Sequence, residues 1–386
     1  MRREIVTGCA AALLAAAALA QAAEAQSPTL LRIRNAQQVD RMVLDSAGGL
    51  VLAGNLADGP PPVSGPGARM VWWPRQAAFR AGIANATEFD PANLGYGSVA
   101  LGKGNLASGG GAVAIGETSV ASGTPSLALG RNAKATTDWA VAVGFSTTAS
   151  ATLSTAVGIS SSATGTNATA VGSSSIAAAP YASAFGFNVH ATGDRALALG
   201  SYVSAGFAGS IVIGDGSAQT SLSASAANQF SVRAAGGYRL FTNAGTTLGA
   251  QLQPNQTTWS ALSDRRAKTA FLEVDGEDVL QRLSRVPVST WIYRDQPDPS
   301  VRHIGPMAQD WAAAFGLSAD STTINAGDVD GVALAAARAL DARTRVQAER
   351  IRALESENAA VRAALAEMRA RMERMEARVA AQEGAP

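Results

Sequence analysis

The sequence predicts a mainly β protein built on a stack of short identical coils, with a small mixed α/β segment and a long helix behind it. Three observations carry that expectation. A glycine returns every fourteen residues, at Gly102, Gly116, Gly130, Gly144, Gly158, Gly172, Gly186, Gly200 and Gly214. A short apolar run precedes each, from Val99-Ala-Leu to Ile211-Val-Ile. Five residues after each comes an alanine, at Ala107, Ala121, Ala135, Ala149, Ala163, Ala177, Ala191 and Ala205, before the pattern lapses. Far downstream, Ile351, Leu354, Asn358, Val361, Leu365, Met368, Met372, Met375 and Val379 alternate spacings of three and four, the seam of a coiled coil. Positions held at constant phase mean one unit stacked on itself, each coil packing mainly on its neighbours.

Composition narrows the function classes. The 386 residues are 47% hydrophobic but only 5% aromatic and 16% charged, which excludes a large conventional core of Phe, Trp and Leu. A net charge of +1 supplies no basic face for nucleic acid. Met1-Arg-Arg-Glu, the apolar stretch Ile5 to Ala20 and the small residues of Ala23-Glu24-Ala25 predict a secretory signal over residues 1–25. Cys9, the lone cysteine, falls inside it. Val6-Thr7-Gly8-Cys9 loosely resembles a lipoprotein box, but most of the apolar segment follows the cysteine, so the segment reads as a cleaved signal. The exported chain, starting at Gln26, then has no disulfide or thiolate metal ligand. No later segment approaches transmembrane length, so no integral membrane anchor is expected.

Residues 26–94 form a leading region with short strands at Leu30-Leu-Arg-Ile-Arg, Met42-Val-Leu-Asp and Gly49-Leu-Val-Leu, broken by the Pro60-Pro-Pro and Pro66 loop. Trp72, Trp73 and Phe79 are expected to cover the open end of the stack. In the head, residues 95–217, three consecutive apolar residues place side chains on both faces of each strand. One face can point into the coil; the other needs another chain. The outward positions, rich in Ser, Thr, Gly and Asn, predict a polar, nearly uncharged exterior on a rod of about 40 Å. The repeat Ser-Val-Ala-Leu-Gly-x-x-x-x-Ala resembles the head of YadA-like trimeric autotransporter adhesins. That resemblance implies a left-handed parallel β-roll of 14-residue repeats, a homotrimer and a surface-exposed head.

The neck, 218–258, holds Asn228-Gln-Phe-Ser-Val-Arg and Gly236-Gly-Tyr-Arg-Leu-Phe-Thr, read as two strands about a Gly-Gly turn. Residues 259–340 change to a mixed α/β style, with Asp328 and Asp330 read as helix caps rather than calcium ligands. Residues 341–383 form the coiled coil, with Asn358 as a register-fixing polar layer. Ser263-Asp-Arg-Arg-Ala-Lys268, Tyr293-Arg and Val301-Arg-His-Ile-Gly-Pro-Met-Ala-Gln-Asp310, in that order, resemble the S74 peptidase family of C-terminal intramolecular chaperones. Such a domain trimerises its chain during folding and then cuts itself off beside a serine. Carried over by position, the resemblance implies Ser263 as nucleophile and Lys268 as its general base. The cut is placed at Ser263-Asp264, with Leu262-Ser263 less favoured.

A serine hydroxyl needs a base to take its proton, and a lysine serves only when neutral. Arg265 and Arg266 are candidates to favour that neutral form. Taken alone, Ser-Asp capping a helix beside a charged turn would explain these residues as well. The chain carries only His190 and His303, which argues against a histidine triad or zinc site, and no cofactor or metal is expected. Glu117, Asp138, Asp194 and Asp215 are too scattered for glycoside cleavage. The resulting expectation is an exported, homotrimeric adhesin-like fibre at the cell surface or outside the cell, with a possible host-surface or glycan receptor. A phage-derived tail fibre and a structural filament with an inactive S74 clamp are the alternatives. The terminal Glu383-Gly-Ala-Pro lacks the strands of an outer-membrane barrel.

Overall fold

The structure, a computed structural model, describes residues 28–55, 59, 64–317 and 320–383. The expected signal with Cys9 and the Pro60-Pro61-Pro62 loop lie outside the described residues. The chain divides into two compact units, one ending at Gly237 and the other starting at Tyr238.

The first unit is dominated by a β-solenoid of parallel strands, each stacked on the next at constant register. Leu127, Ala128, Leu129 and Gly130 pair with Val141, Ala142, Val143 and Gly144. The same fourteen-residue step continues through Thr155, Thr169 and Ser183. The middle residue of each apolar triplet points inward: Ala114, Ala128, Ala142, Ala156, Ala170 and Ala184 are fully buried. They meet the second alanine column, Ala107 to Ala205. The coil is so thin that two facing methyl groups fill it. The glycine phase has an equally direct cause. Gly130 has φ +129°, and a Cβ there would lie 2.1 Å from the carbonyl oxygen of Gly144 in the next coil. A buried polar column stitches the stack, since the hydroxyls of Ser119, Ser161 and Ser175 donate to the carbonyls of Gly130, Gly172 and Gly186 at 2.8–2.9 Å.

Two strands close the leading end of the stack. β4 (Gly67–Trp73) pairs antiparallel with β5 (Ala78–Ala84), and β5 lies parallel on Val99–Lys103. Trp73 is buried with Val71, Ala78 and Leu94, as a covering role requires, while Trp72 and Phe79 are only half-buried. The coil interior is filled by a residue the sequence did not single out. Arg80 pairs with Ala100 and so takes the alanine slot. Its fully buried guanidinium donates to Ser98 O (2.9 Å), Ser98 Oγ (2.8 Å) and Ala107 O (2.8 Å). Ahead of this cap, β1 (Thr29–Arg34), β2 (Asp40–Asp45) and β3 (Leu50–Leu52) form an antiparallel meander.

The trailing end corrects the sequence reading. The expected hairpin about Gly236-Gly237 does not form. Phe230–Arg233 lies parallel on Ile211–Gly214 as one more rung, Ile211 pairing with Phe230 instead of Ser225. Five inserted residues carry the chain around, and Ala224, not Gln219, continues the buried alanine column. Stacking overrides the turn signal because Arg233 anchors the rung, its Nε donating to Asp215 Oδ1 (3.1 Å) and its Nη1 to Thr220 O (2.8 Å). The polar exterior is also interrupted: Trp139, Leu153 and Tyr181, all in left-handed backbone at turns, are 60%, 49% and 56% exposed. Phe145, Ile159 and Phe187 are exposed beside the strands.

In the second unit, Tyr238–Phe241, Gly249–Leu252 and Ser260–Ala261 form an antiparallel sheet. A helix Gly276–Leu283, capped by Asp275 Oδ1, packs through Val279 with Val286, Trp311 from the helix Ala308–Phe315, and Val332 and Ala336 from the long helix Ala326–Glu383. Asn325, whose Oδ1 accepts from Gly327 N at 2.9 Å, caps the long helix; Asp328 lies within its first turn and Asp330 further on, so neither is the cap. The seam residues Ile351, Val361, Leu365, Met368, Met372, Met375 and Val379 are exposed in the single chain, and Asn358 Nδ2 donates to Leu354 O at 2.9 Å. No described helix is long and apolar enough to cross a membrane.

Candidate functional site: the Ser263–Lys268 turn

The site begins where the small sheet ends. Ser260–Ala261 is held on Gly249–Leu252, and Leu262 N donates to Gly249 O at 2.9 Å, fixing the chain just before Ser263. Asp264 then starts a single helical turn over Arg265–Ala267: its Oδ1 accepts from Arg266 N at 2.8 Å, and Lys268 N donates to Arg265 O at 3.1 Å. Reversing the chain in this way returns Lys268 to the serine. Lys268 Nζ lies 2.5 Å from Ser263 Oγ, within one chain.

The other charges around the turn are occupied. The Arg266 guanidinium grips the Asp264 carboxylate, with Nη2 to Oδ2 at 2.7 Å and Nε to Oδ1 and Oδ2 at 3.2 and 3.1 Å. That grip holds the Asp264 carboxyl below the usual carboxylate range and raises Arg266. Arg265 lies over the Phe271 ring, 4.8 Å from its centroid. The structure therefore gives both arginines partners other than Lys268, and Arg266 is neutralised by its own. Ser263 and Lys268 are exposed in the single chain.

A cleft of about 550 Å³ opens beside the pair, lined by Thr246, Thr247, Leu262, Ser263, Asp264, Arg266 and Ala267. Thr246 and Thr247 were not legible as site residues. They come from the turn joining the first two strands of the sheet, where Asn243 Oδ1 accepts from Thr247 N (3.1 Å) and Leu248 N (3.0 Å). Asn243 ahead of Gly245 is a local turn signal in the sequence, but only strand pairing puts that turn beside Ser263. His303 is elsewhere, on the hairpin Ser289–Trp291 with His303–Gly305, stacked on Trp291 at 4.7 Å with Nε2 3.0 Å from Gln296 Oε1. His190 lies in a head strand between Ile176 and Ser204. Among the described residues no group of three or more His, Cys, Asp or Glu side chains could hold a metal ion.

With this geometry in place, comparison with known families is informative. Residues 263–317 match the peptidase S74 family, described as the chaperone of endosialidase, and the match starts at Ser263 itself. Residues 94–119, 121–147, 149–175, 163–188 and 177–202 match the YadA head domain repeat. No curated protein matches the chain. The chain thus carries YadA head repeats followed by an S74 segment, a combination that fits a trimeric adhesin or tail-fibre-like protein.

Proposed function

We propose that this chain is an exported, homotrimeric, adhesin-like fibre whose S74 segment drives assembly and then severs itself at Ser263. The observation that carries the reading is the 2.5 Å approach of Lys268 Nζ to Ser263 Oγ at the first residue of the S74 match. Neutral Lys268 takes the hydroxyl proton, the serine oxygen attacks a peptide carbonyl carbon, and the C–N bond breaks as Lys268 returns the proton to the leaving nitrogen. Water then hydrolyses the ester. At the favoured bond, Ser263-Asp264, attack from within the same residue would close a four-membered ring, so the hydroxyl comes from a neighbouring copy in the trimer. At Leu262-Ser263 the hydroxyl reaches its own chain's preceding carbonyl through a five-membered ring. Both routes place the dyad at the cut. Arg266 orders the turn by holding Asp264.

Trimerisation has its own support. The outer face of the head strands carries Phe145, Ile159 and Phe187 exposed and Val141, Val143, Val157 and Phe185 half-buried within one chain, and the exposed seam of the long helix makes the same demand. YadA-type repeats favour a surface or extracellular location, with the head as the part that meets a receptor or glycan.

Intact mass on residues 26–386, beside Ser263→Ala and Lys268→Ala and with native mass for assembly, tests the reading. The parent is expected to give two fragments meeting at Ser263, and both variants a single uncut trimer. Fragments that differ by one serine residue distinguish the two bonds. An uncut parent would withdraw the enzymatic half of the proposal, and a monomeric native mass the other half. Binding of the trimeric head to a glycan array tests the adhesive role, which silence across mammalian, plant and bacterial glycans would weaken.

A further inference from the structure

We infer that the meander at the start of the described chain is a third trimer-forming element, its apolar face packing against the same face of two further copies of this chain. The pairing register builds that face. Leu31 stands opposite Leu44 and Leu44 opposite Leu50; Ile33 stands opposite Met42 and Met42 opposite Leu52. Directly opposed residues of antiparallel strands project to the same side, so two rows of three aliphatic side chains share one surface. The reverse surface carries the row Arg32, Val43 and Val51. Arg32 and Arg34 both pair with Asp40, at 3.6 and 2.6 Å.

Among the described residues the apolar rows are left largely open, with Met42 and Leu44 of the central strand half-buried. No residue between 28 and 55 is buried; Leu31, Ile33, Leu50 and Leu52 are 44%, 48%, 50% and 40% exposed. A contiguous aliphatic face left open on a three-stranded sheet marks a surface for packing against another body.

The chemistry of the face selects its occupant. It has no aromatic ring, no titratable group and no hydrogen-bonding side chain in either row, so it cannot orient a sugar or a small polar ligand. A flat aliphatic surface is complementary to itself. The element also precedes, in the same unit, the head strands whose uncovered outer column ends in Phe145, Ile159 and Phe187. Chains joined through that column hold their meanders at high effective concentration, which favours the same partners at both places. This inference rests on the trimeric reading above.

Cross-linking tests it in the full chain carrying Cys9→Ser, so that an introduced thiol stands alone. Leu44→Cys is on the apolar face and Val43→Cys, its neighbour on the same strand, on the reverse face. Under mild oxidation Leu44→Cys is expected to give disulfide-linked pairs of chains at least about tenfold more than Val43→Cys, with native mass trimeric in both. Trimers in which the two cross-link alike, or not at all, overturn the inference and leave the trimer standing. Single chains by native mass overturn both. A second variant, Leu31→Glu, is expected to speed arginine-directed proteolysis at Arg32 and Arg34 by about tenfold while the native mass stays trimeric. An unchanged rate overturns the inference as well.

Discussion

At the scale of single residues, the head is governed by how little room a fourteen-residue coil leaves. Gly158 has φ +122°, and a methyl added there would sit 1.9 Å from the carbonyl oxygen of Gly172 in the next coil. Neither backbone can retreat, because each coil is sandwiched between two others. Gly158→Ala is therefore expected to cost on the order of 3 kcal/mol, since it combines left-handed strain with a backbone clash. Gly216→Ala, where a Cβ meets nothing within 4 Å, is the control. Thermal unfolding of the two variants beside the parent reads the difference; equal midpoints would refute the steric account of the repeat. At the Ser263–Lys268 turn the constraint is different. The Ser263–Lys268 pair needs only the single turn capped by Asp264, so one local reversal suffices to bring the two side chains together.

At the scale of elements, the middle of the solenoid was legible and its ends were not. Every interior coil repeats the same packing problem, so glycine and alanine recur in phase and reveal it. The ends meet the problem once. Arg80 occupies an alanine slot opposite Ala100, and Ala224 continues the column only after an insertion, so counting in fourteens misses both. Likewise Ser263 and Lys268 are reached through a family resemblance that a local motif carries, whereas Thr246 and Thr247 reach the site through strand pairing that no local pattern announces. The trailing end yields a pH prediction. Asp215 accepts from Ser217 Oγ, Ala235 N and Arg233 Nε, which lower its pKa from 3.8 to about 2. A carboxyl depressed in the folded state stabilises it fully above 3.8, and that contribution fades as pH falls toward 2. Asp215→Asn is expected to lower the thermal midpoint at neutral pH and to shrink its fall between pH 4 and 2. Parallel acid limbs in parent and variant would show that the clamp contributes nothing.

At the scale of the whole molecule, the two units face opposite demands. A solenoid whose coils contact mainly their neighbours can begin stacking anywhere, so three chains of it have many ways to join out of register. A helix with one polar layer at Asn358 in an otherwise apolar seam has few, because a slipped pairing buries the amide against methyl groups. On the proposed reading, assembly guided by the second unit would put register where it is cheapest to specify, and a cut at Ser263 afterwards would leave a head that is correctly joined but no longer carries its guide. Such a head should be held by the barrier to unfolding and not by an equilibrium it can re-establish. We therefore expect the Ser263→Ala chain, uncut, to regain trimeric native mass after dilution from denaturant. The cleaved head, purified free of residues 264–386, should recover at least about tenfold less and lose the remainder to aggregation. Equal recovery of the two would mean that the head carries its own register, and the second unit would then be a clamp without a folding role.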